Sequence, residues 1–322
     1  MISFVLGWGY QPERLRASQY LFLYSLIGGL PFLLFVYNNY LIMGTTSFIL
    51  FVKCYLLSYF PDHLIIIALL SLLIKLPVYG VHFWLPKVHV ESPTRGRIVL
   101  AGVFLKLGAM GVIRILNYFW QSKVYIVLPW CLISIILLRN IALHMRDYKL
   151  IIAYSSIVHI APILYLLFTN TSSGYNISLM MCLTHGLTSF GLFFFFGGNS
   201  KKENRRNLHI SKNTGFVDVL ILSAIFSLII MNRSMPPFFR FSTELATLWR
   251  IYKISTNFAI LYGILIRFFI FLYSLFLFYK LFKRFRNKNI FTITVNLEKI
   301  LIRICLTYPM VAYFIYFRLI LS

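Results

Sequence analysis

Long apolar runs recur along the whole chain, and each is close to the length of about 20 residues that an α-helix needs to cross a membrane. Lipid offers no partners to backbone N–H and C=O groups, so runs of this length must be helical. The runs are 19–42, 62–86, 98–119, 123–143, 150–169, 175–198, 214–232, 257–281 and 299–321. They predict an all-α polytopic membrane protein with about nine transmembrane helices, or about ten if the shorter run 45–61 also spans.

The charge pattern places the chain in a lipid bilayer rather than on nucleic acid. Hydrophobic residues make up 60% of the chain and charged residues 12%, and the mean hydropathy is +0.81. Lys and Arg outnumber Asp and Glu by 31 to 8. The basic clusters lie between the apolar runs, at 13–16, 86–97, 144–149, 201–206 and 280–288. Counting spans puts these clusters and the N-terminus on one face, the positive-inside pattern, and the C-terminus on the other.

The cysteines give no sign of a metal or cofactor site. Cys54, Cys131, Cys182 and Cys305 lie in separate apolar stretches without the spacing of a zinc or iron–sulfur ligand set. We expect them to be buried, apolar-packed thiols. No cofactor or metal is predicted to bind this chain.

Three ionisable residues interrupt the apolar runs: Lys75, Lys106 and Glu244. A charge near the centre of a bilayer costs roughly 2.5–3.5 kcal/mol or more, so such residues usually face a protein interior or a water-filled path. These three residues are therefore the first candidates for a functional site. A lysine that reaches the membrane surface from a helix end is the alternative for Lys75.

Prolines next to two of these charges predict broken helices. Pro77 follows Lys75, and Pro236 and Pro237 precede Glu244. A proline removes a helical hydrogen bond and clashes with the preceding turn. We expect residues 238–252 to form the second half of a broken helix, and paired breaks of this kind are typical of transporter sites.

The segment around Lys106 combines a charge with small residues. Gly102, Gly108 and Gly111 predict that a neighbouring helix approaches closely, as small residues allow at membrane helix interfaces. We expect Lys106 to face this tightly packed interior.

Two histidines lie in successive apolar runs, each one helical turn from a hydroxyl. Ser155 precedes His159 by four residues, and Ser189 follows His185 by four. Histidine titrates near neutral pH and suits a proton relay. Structural histidines bonded within the core, or axial ligands of a haem, are the alternatives.

Two further groups of polar residues have simpler interpretations. Arg240 lies four residues before Glu244, so the two can form an ion pair that keeps the carboxylate charged. His89, Glu91 and Arg95 lie in the polar stretch 86–97, and we expect a loop there that is solvated or contacts a neighbouring subunit.

Five stretches carry a resemblance to a known family. They are WGYQPERLRASQYLFLYSLIGGLP, LLIKLPVYGVHFWLPKVHVESPTRGRIVLAGVFLKLGAMGVIR, RDYKLIIAYSSIVHIA, THGLTSFGLFFF and PPFFRFSTEL. In this order they resemble successive motifs of the NADH dehydrogenase subunit 4 family, the antiporter-like membrane subunits of mitochondrial respiratory complex I. The resemblance extends from about residue 7 to about residue 250, and the C-terminal region is less distinctive.

The resemblance implies a proton-translocating subunit of NADH:ubiquinone oxidoreductase in the mitochondrial inner membrane, with its basic loops on the matrix side. It implies an antiporter-like fold of two inverted repeats, and NADH, FMN, iron–sulfur clusters and ubiquinone held by other subunits. Within a single transmembrane domain 1–322, residues 1–120 would be the remainder of the first repeat, 121–281 the second, and 282–322 a C-terminal loop and helix. The residues that match the family's hydrated axis are Lys75, Lys106, His159, His185 and Glu244.

The sequence departs from the family at two points. The family has further N-terminal helices, one of which carries a glutamate that pairs with the lysine at the position of Lys75. We expect a separate chain of the complex to supply them, and the first repeat of this chain to be incomplete. The second departure is Arg240, where the family is usually uncharged.

Three other functions share some of these features. A cation/proton antiporter or membrane hydrogenase subunit would keep the same lysines and broken helices. A structural subunit that has lost transport would account for an incomplete first repeat. A haem-binding electron carrier would use His159 and His185, and would show a haem absorption band.

Overall fold

Every secondary-structure element in the described part of the chain is a helix. The computed structural model describes residues 12–44, 62–116, 127–145, 147–169, 171–203, 219–236, 238–254 and scattered positions between 256 and 275. The helices are α1 Pro12–Met43, α2 Asp62–Lys75, α3 Trp84–Glu91, α4 Thr94–Val99, α5 Leu105–Leu116, α6 Val127–His144, α7 Tyr148–Phe168, α8 Ser172–Glu203, α9 Val219–Asn232 and α10 Phe239–Ile254. A π-helical turn, Leu100–Phe104, joins α4 to α5.

Four of the described helical segments are long and apolar enough to cross a membrane. They are Pro12–Leu41, Thr94–Leu116, Lys149–Phe168 and Ser172–Phe196. Shorter apolar helices cover Ile66–Lys75, Pro129–His144 and Ser223–Asn232. The prediction of an all-helical, multi-spanning protein is confirmed for this part of the chain. The predicted span 299–321, the run 45–61 and most of 257–281 lie outside the described residues, as do Cys54 and Cys305.

Helices α7 and α8 form the centre of the bundle. Helix α7 packs against α3, α5, α6, α8 and α10, and 89% of its most apolar stretch is buried. Helix α8 adds contacts with α4, the π-helical turn, α9 and α10. Apolar side chains of α7 are buried on several of its faces; examples are Ile152, Ala153, Ile157, Leu164 and Leu166. A helix that is apolar all round is expected at such a central position.

The first predicted break lies inside the run 62–86. Helix α2 ends at Lys75, and α3 begins at Trp84 after a non-helical segment. Pro77 has no N–H to continue the helical hydrogen bonds, so carbonyls of the last turn of α2 lose their usual partners. The carbonyl of Ile74 has a replacement partner, because the indole Nε1 of Trp84 donates to its oxygen at 3.3 Å. Broken helices inside a membrane protein require this kind of internal compensation.

The second break begins with a left-handed cap at the end of α9. Ser234 has φ 57°, in the left-handed region. Its N–H donates to the carbonyl of Met231 at 3.0 Å, and the N–H of Met235 donates to the carbonyl of Ile230 at 3.4 Å. This pair of bonds is the Schellman arrangement that ends helices, with serine at the position that usually holds glycine.

Proline keeps the chain from continuing the helix after this cap. Pro236 follows the left-handed residue by two positions, which is a common location for proline after a helix. Helix α10 then begins at Phe239. The expectation that residues 238–252 form the second half of a broken helix is therefore confirmed. Pro237 lies outside the described residues.

Glycines bring α2 close to α5. A Cβ atom added to Gly108 would lie 2.9 Å from Cγ of Leu76, and one added to Gly111 would lie 2.9 Å from Cδ2 of Leu72. Both distances are too short for a real contact, so the predicted close approach is confirmed at these two positions. At Gly102 the close neighbour is α8: an added Cβ on Gly102 would meet no described atom within 4 Å, but a Cβ added to Gly186 would lie 3.6 Å from the carbonyl oxygen of Gly102.

We predict that Gly108→Ala lowers the stability of the folded protein, because its methyl group would overlap the branched Cγ of Leu76. Overpacking of this kind typically costs about 1–3 kcal/mol. The matched control is Gly29→Ala on α1, where an added Cβ would meet nothing within 4 Å. Thermal unfolding of the purified protein in detergent measures both variants. Equal midpoints for Gly108→Ala and Gly29→Ala would contradict the close contact between α2 and α5.

Candidate functional site

Lys106 lies two residues after the π-helical turn Leu100–Phe104. Its Nζ donates a hydrogen bond to the carbonyl oxygen of Ala101 at 2.6 Å. A π-helical turn displaces carbonyls from the regular helical ladder, and such turns are frequent at functional sites. The turn therefore provides the partly buried ammonium group with an acceptor from its own helix.

The end of the Lys106 side chain reaches α8. A Cβ atom added to Gly186 would lie 3.4 Å from Cε and 3.9 Å from Nζ of Lys106. His185 is the residue before Gly186, and the lysine interacts electrostatically with its imidazole. The sequence-predicted residues Lys106 and His185 therefore belong to one site.

His159 on α7 and His185 on α8 are buried neighbours. Their exposed fractions are 2% and 3%, and their ring centroids are 5.7 Å apart. Among the described residues, Nε2 of His159 and both ring nitrogens of His185 have no hydrogen-bond partner. Buried polar atoms are normally partnered by protein or ordered water. These nitrogens are therefore chemically able to exchange a proton with water or with a side chain that moves towards them.

Glu244 on α10 faces His159 on α7. Its Oε1 lies 4.0 Å from Nδ1 of His159 and 3.7 Å from Nε of Arg240 on the same helix. Arg240 is 1% exposed and Glu244 is 7% exposed. The ion pair predicted from the four-residue spacing is present in the structure.

The hydroxyl of Thr188, which the sequence analysis missed, is hydrogen-bonded to this ion pair. Nη1 of Arg240 donates to Oγ1 of Thr188 at 2.9 Å, and Thr188 donates in turn to the carbonyl of His185 at 3.0 Å. The two serines that were expected to assist the histidines bond elsewhere. Ser155 donates to the carbonyl of Ile152 at 2.8 Å, and Ser189 donates to the carbonyl of Gly186 at 3.1 Å.

Lys75 packs beside the helix that carries Lys106, with its Cβ 3.4 Å from a Cβ added to Gly108, but within the described residues its ammonium has no recorded contact with the other site residues. Its ammonium lies 5.7 Å from the ring centroid of Phe32, and within the described residues no hydrogen bond or ion pair is recorded for it. The side chain is partly buried at the end of α2. The breaks therefore differ, since the first places a lysine against an aromatic face and the second precedes a buried ion pair.

The expectation of a polar loop at 86–97 is wrong for His89. Helix α3 covers most of the first half of this stretch, and its side is apolar at Leu85 and Val88. His89 shares that side, is 0% exposed, and stacks on Phe193 with ring centroids 4.6 Å apart. Pro86 lies in the first turn of α3, where proline is tolerated. Arg95, by contrast, is exposed as expected.

Arg139 is a second residue that the sequence analysis missed, and it is charged. It lies on α6, is 3% exposed, and interacts electrostatically with His159. The signal was present, because Arg139 interrupts the predicted apolar run 123–143 just as Lys106 interrupts the run 98–119.

Four sequence-predicted site residues thus converge from α5, α7, α8 and α10. They are Lys106, His159, His185 and Glu244. An ammonium, two imidazoles and a carboxylate can each bind and release a proton, and burial in an apolar bundle isolates them from bulk solvent. The fold and the site define a helical membrane protein with a transport-type interior: broken helices around a row of buried ionisable groups.

The chain belongs to a known family of this class. Residues 1–270 match the family described as "NADH:quinone oxidoreductase/Mrp antiporter, TM". The proteins named NADH-ubiquinone oxidoreductase chain 4 from Branchiostoma floridae and Aedes aegypti are similar to the chain. The first is 34% identical over 261 residues, and the second 39% identical over 215 residues. The resemblance stated from the sequence motifs is confirmed.

These alignments cover 79% and 65% of this chain, but 57% and 47% of the two relatives. The chain therefore spans about half the length of the curated relatives that it matches.

Solved structures share the fold. A chain of respiratory complex I from Thermus thermophilus matches with a TM-score of 0.79 and 19% identity, over 97% of this chain and 67% of that one. A chain of the Mrp complex from Dietzia sp. DQ12-45-1b matches with a TM-score of 0.71 and 16% identity, over 88% of this chain and 52% of that one. At these identities the likeness supports the antiporter-like helical architecture.

We predict that Gly186→Val displaces Lys106 from its hydrogen bond to Ala101, whereas Gly186→Ala leaves it in place. A single Cβ would be in ordinary contact with the lysine at 3.4 Å, but the two methyl groups of valine would need the space that the side chain occupies. Electron cryomicroscopy of both variants in the assembled membrane complex shows the lysine directly. An unmoved Lys106 in Gly186→Val would contradict the contact between α5 and α8.

Proposed function

We propose that the chain is a proton-translocating subunit of the membrane arm of an NADH:ubiquinone oxidoreductase. Protons move across the membrane along Lys75, Lys106, His159, His185 and Glu244. The free energy comes from redox chemistry in other subunits, which hold the NADH, FMN, iron–sulfur and ubiquinone sites.

One observation carries this proposal: the contact of His159 with Glu244 joins a series of buried ionisable groups across four helices. The series begins at the Lys106 ammonium beside Gly186, passes through the histidine pair 5.7 Å apart, and ends at the carboxylate 4.0 Å from Nδ1 of His159. A distance of 4.0 Å is longer than a hydrogen bond. Transfer between these groups therefore requires bridging water or small side-chain movements, which makes the path sensitive to the charge of each member.

The family and the helix breaks support the finer architecture. The breaks at Pro77 and Pro236 fit corresponding positions in two inverted repeats, within residues 1–120 and 121–281. Other membrane-arm subunits would pack beside the chain in the mitochondrial inner membrane. The basic clusters between spans favour an orientation with these loops in the matrix.

Lys75 needs a counter-charge that the described residues do not provide. Its recorded contact is with the ring of Phe32, which is a weaker partner for a partly buried ammonium than a carboxylate. We assign this carboxylate to another polypeptide of the complex. A structure of the assembled complex with no acidic oxygen near Nζ of Lys75 would contradict the assignment.

A structural subunit without transport is the second candidate. The Arg240–Glu244 ion pair favours it, because the guanidinium already engages the carboxylate at the end of the series of ionisable groups. Proton translocation by the assembled enzyme separates the two candidates.

We predict that Lys106→Ala removes most of the proton translocation of the assembled enzyme, because alanine can neither bind a proton nor carry charge to His185. The measurement is the ratio of protons translocated to electrons transferred from NADH to ubiquinone, in sealed membrane vesicles. A purely structural subunit would leave this ratio unchanged.

The matched control is Lys253→Ala on α10. Lys253 is exposed and lies over the ring of Trp249 with its ammonium 5.3 Å from the centroid. Its removal should leave the ratio as it is in the wild type. An equal fall in Lys106→Ala and Lys253→Ala would point to loss of assembly and contradict a specific role for Lys106.

A further inference from the structure

The buried charges of the described residues are unequally distributed around Glu244. Four of the described basic side chains are buried, and Glu244 is the buried carboxylate. The four are Arg97, Arg139, Lys149 and Arg240. A buried ion is tolerated when it is paired and hydrogen-bonded. Arg240 satisfies both conditions through Glu244 on its own helix and Thr188 on α8.

The guanidinium of Arg240 connects three elements of the site. Its Nε lies 3.7 Å from Oε1 of Glu244, and its Nη1 donates to Thr188 at 2.9 Å. Thr188 bonds to the backbone of His185, so the position of Arg240 is tied to the helix that carries one of the histidines. The same oxygen of Glu244 faces His159 at 4.0 Å. Movement of Arg240 would therefore disturb the carboxylate together with both imidazoles.

Within the described residues, the other ionisable side chains of this site are cations or imidazoles. His159 faces it from α7 and His185 lies beside that histidine on α8. Arg139 on α6 interacts with His159, and Lys106 on α5 interacts with both His185 and Arg240. Helix α9 contributes no ionisable residue. The guanidinium of Arg240, with its Nε 3.7 Å from Oε1, is thus the opposite charge that compensates this buried carboxylate.

We infer that Arg240 is a positioning residue that keeps Glu244 a fixed carboxylate, so that Glu244 serves as the counter-ion of the His159–His185 pair and does not itself carry the proton. This role rests on the proposed function and revises it at one residue, since protons would pass Glu244 without binding to it. The negative charge stabilises an imidazolium at His159 while a proton occupies the pair. The guanidinium of Arg240 cannot deprotonate, so it stays a positive partner for the Glu244 carboxylate throughout proton transfer.

The test is covalent labelling of Glu244 by dicyclohexylcarbodiimide in the assembled complex in its native membrane. The reagent reacts with a protonated carboxyl group: the acid proton moves to a carbodiimide nitrogen, and a carboxylate oxygen bonds to the central carbon. The O-acylisourea then rearranges to a stable N-acylurea with no atom lost and no redox change. Mass spectrometry of the peptide that contains Glu244 quantifies the adduct.

At neutral pH we expect Glu244 to remain unlabelled in the wild type and in Arg240→Lys, which keeps the positive charge. In Arg240→Gln the labelled fraction should rise about tenfold or more, since a neighbouring opposite charge shifts carboxyl protonation by at least that factor. Arg240→Gln/Glu244→Gln should give no adduct. Acidification of the wild type until the adduct forms demonstrates that the reagent reaches the site.

Labelling of wild-type Glu244 at neutral pH would overturn the inference, and that experiment needs no variant to fold. An unlabelled Arg240→Gln protein, or an Arg240→Lys protein labelled as strongly as Arg240→Gln, would overturn it as well. The readout does not depend on proton translocation. An unchanged translocation ratio in Lys106→Ala would reject the proposed function, whereas the labelling result decides the role of Arg240 alone.

Discussion

Charge inside an apolar helix bundle is the constraint on which the rest of this structure depends. An ionised side chain away from water must find partners within the protein, and Lys106 and Arg240 find different ones. Lys106 uses a carbonyl released by a π-helical turn, and Arg240 uses Glu244 and Thr188. The bond from Arg240 to Thr188 joins α10 to α8, whereas the contacts of Lys106 with Ala101 and of Arg240 with Glu244 each lie within one helical stretch.

The helix breaks serve this constraint in two ways. At the first break, the indole of Trp84 bonds the carbonyl of Ile74, which has no helical partner because the helix ends before Pro77, and this allows an irregular segment within the bundle. At the second, a left-handed serine closes α9, and α10 starts afresh with Glu244 in its second turn. In this second helix the carboxylate lies 4.0 Å from Nδ1 of His159 on α7.

Much of this could be predicted from local sequence. Apolar length predicts helices, a proline beside a charge predicts a break, and a four-residue spacing predicts the pair of Arg240 with Glu244. Each of these rules concerns residues close together along the chain, where covalent geometry already determines the outcome. The same local rules suggested a loop around His89 and hydroxyl partners at Ser155 and Ser189.

The contacts between distant segments could not be obtained in this way. The stacking of His89 on Phe193 and the bond from Arg240 to Thr188 join residues that lie far apart in sequence. Neither residue type nor spacing identifies which of several hydroxyls or rings a packed helix will meet. Gly102 and Gly108 illustrate the same limit. A Cβ added to Gly108 would overlap Leu76, whereas one added to Gly102 would meet no described atom within 4 Å, and the residue type is the same at both positions.

The most direct test of the central claim is an electron cryomicroscopy map of the assembled complex that resolves ordered water around the buried histidines. The account predicts water density at the ring nitrogens of His185 and at Nε2 of His159, linking the Lys106 ammonium to the carboxylate of Glu244. A dry interior in which these nitrogens contact only apolar atoms would contradict a proton path through this site.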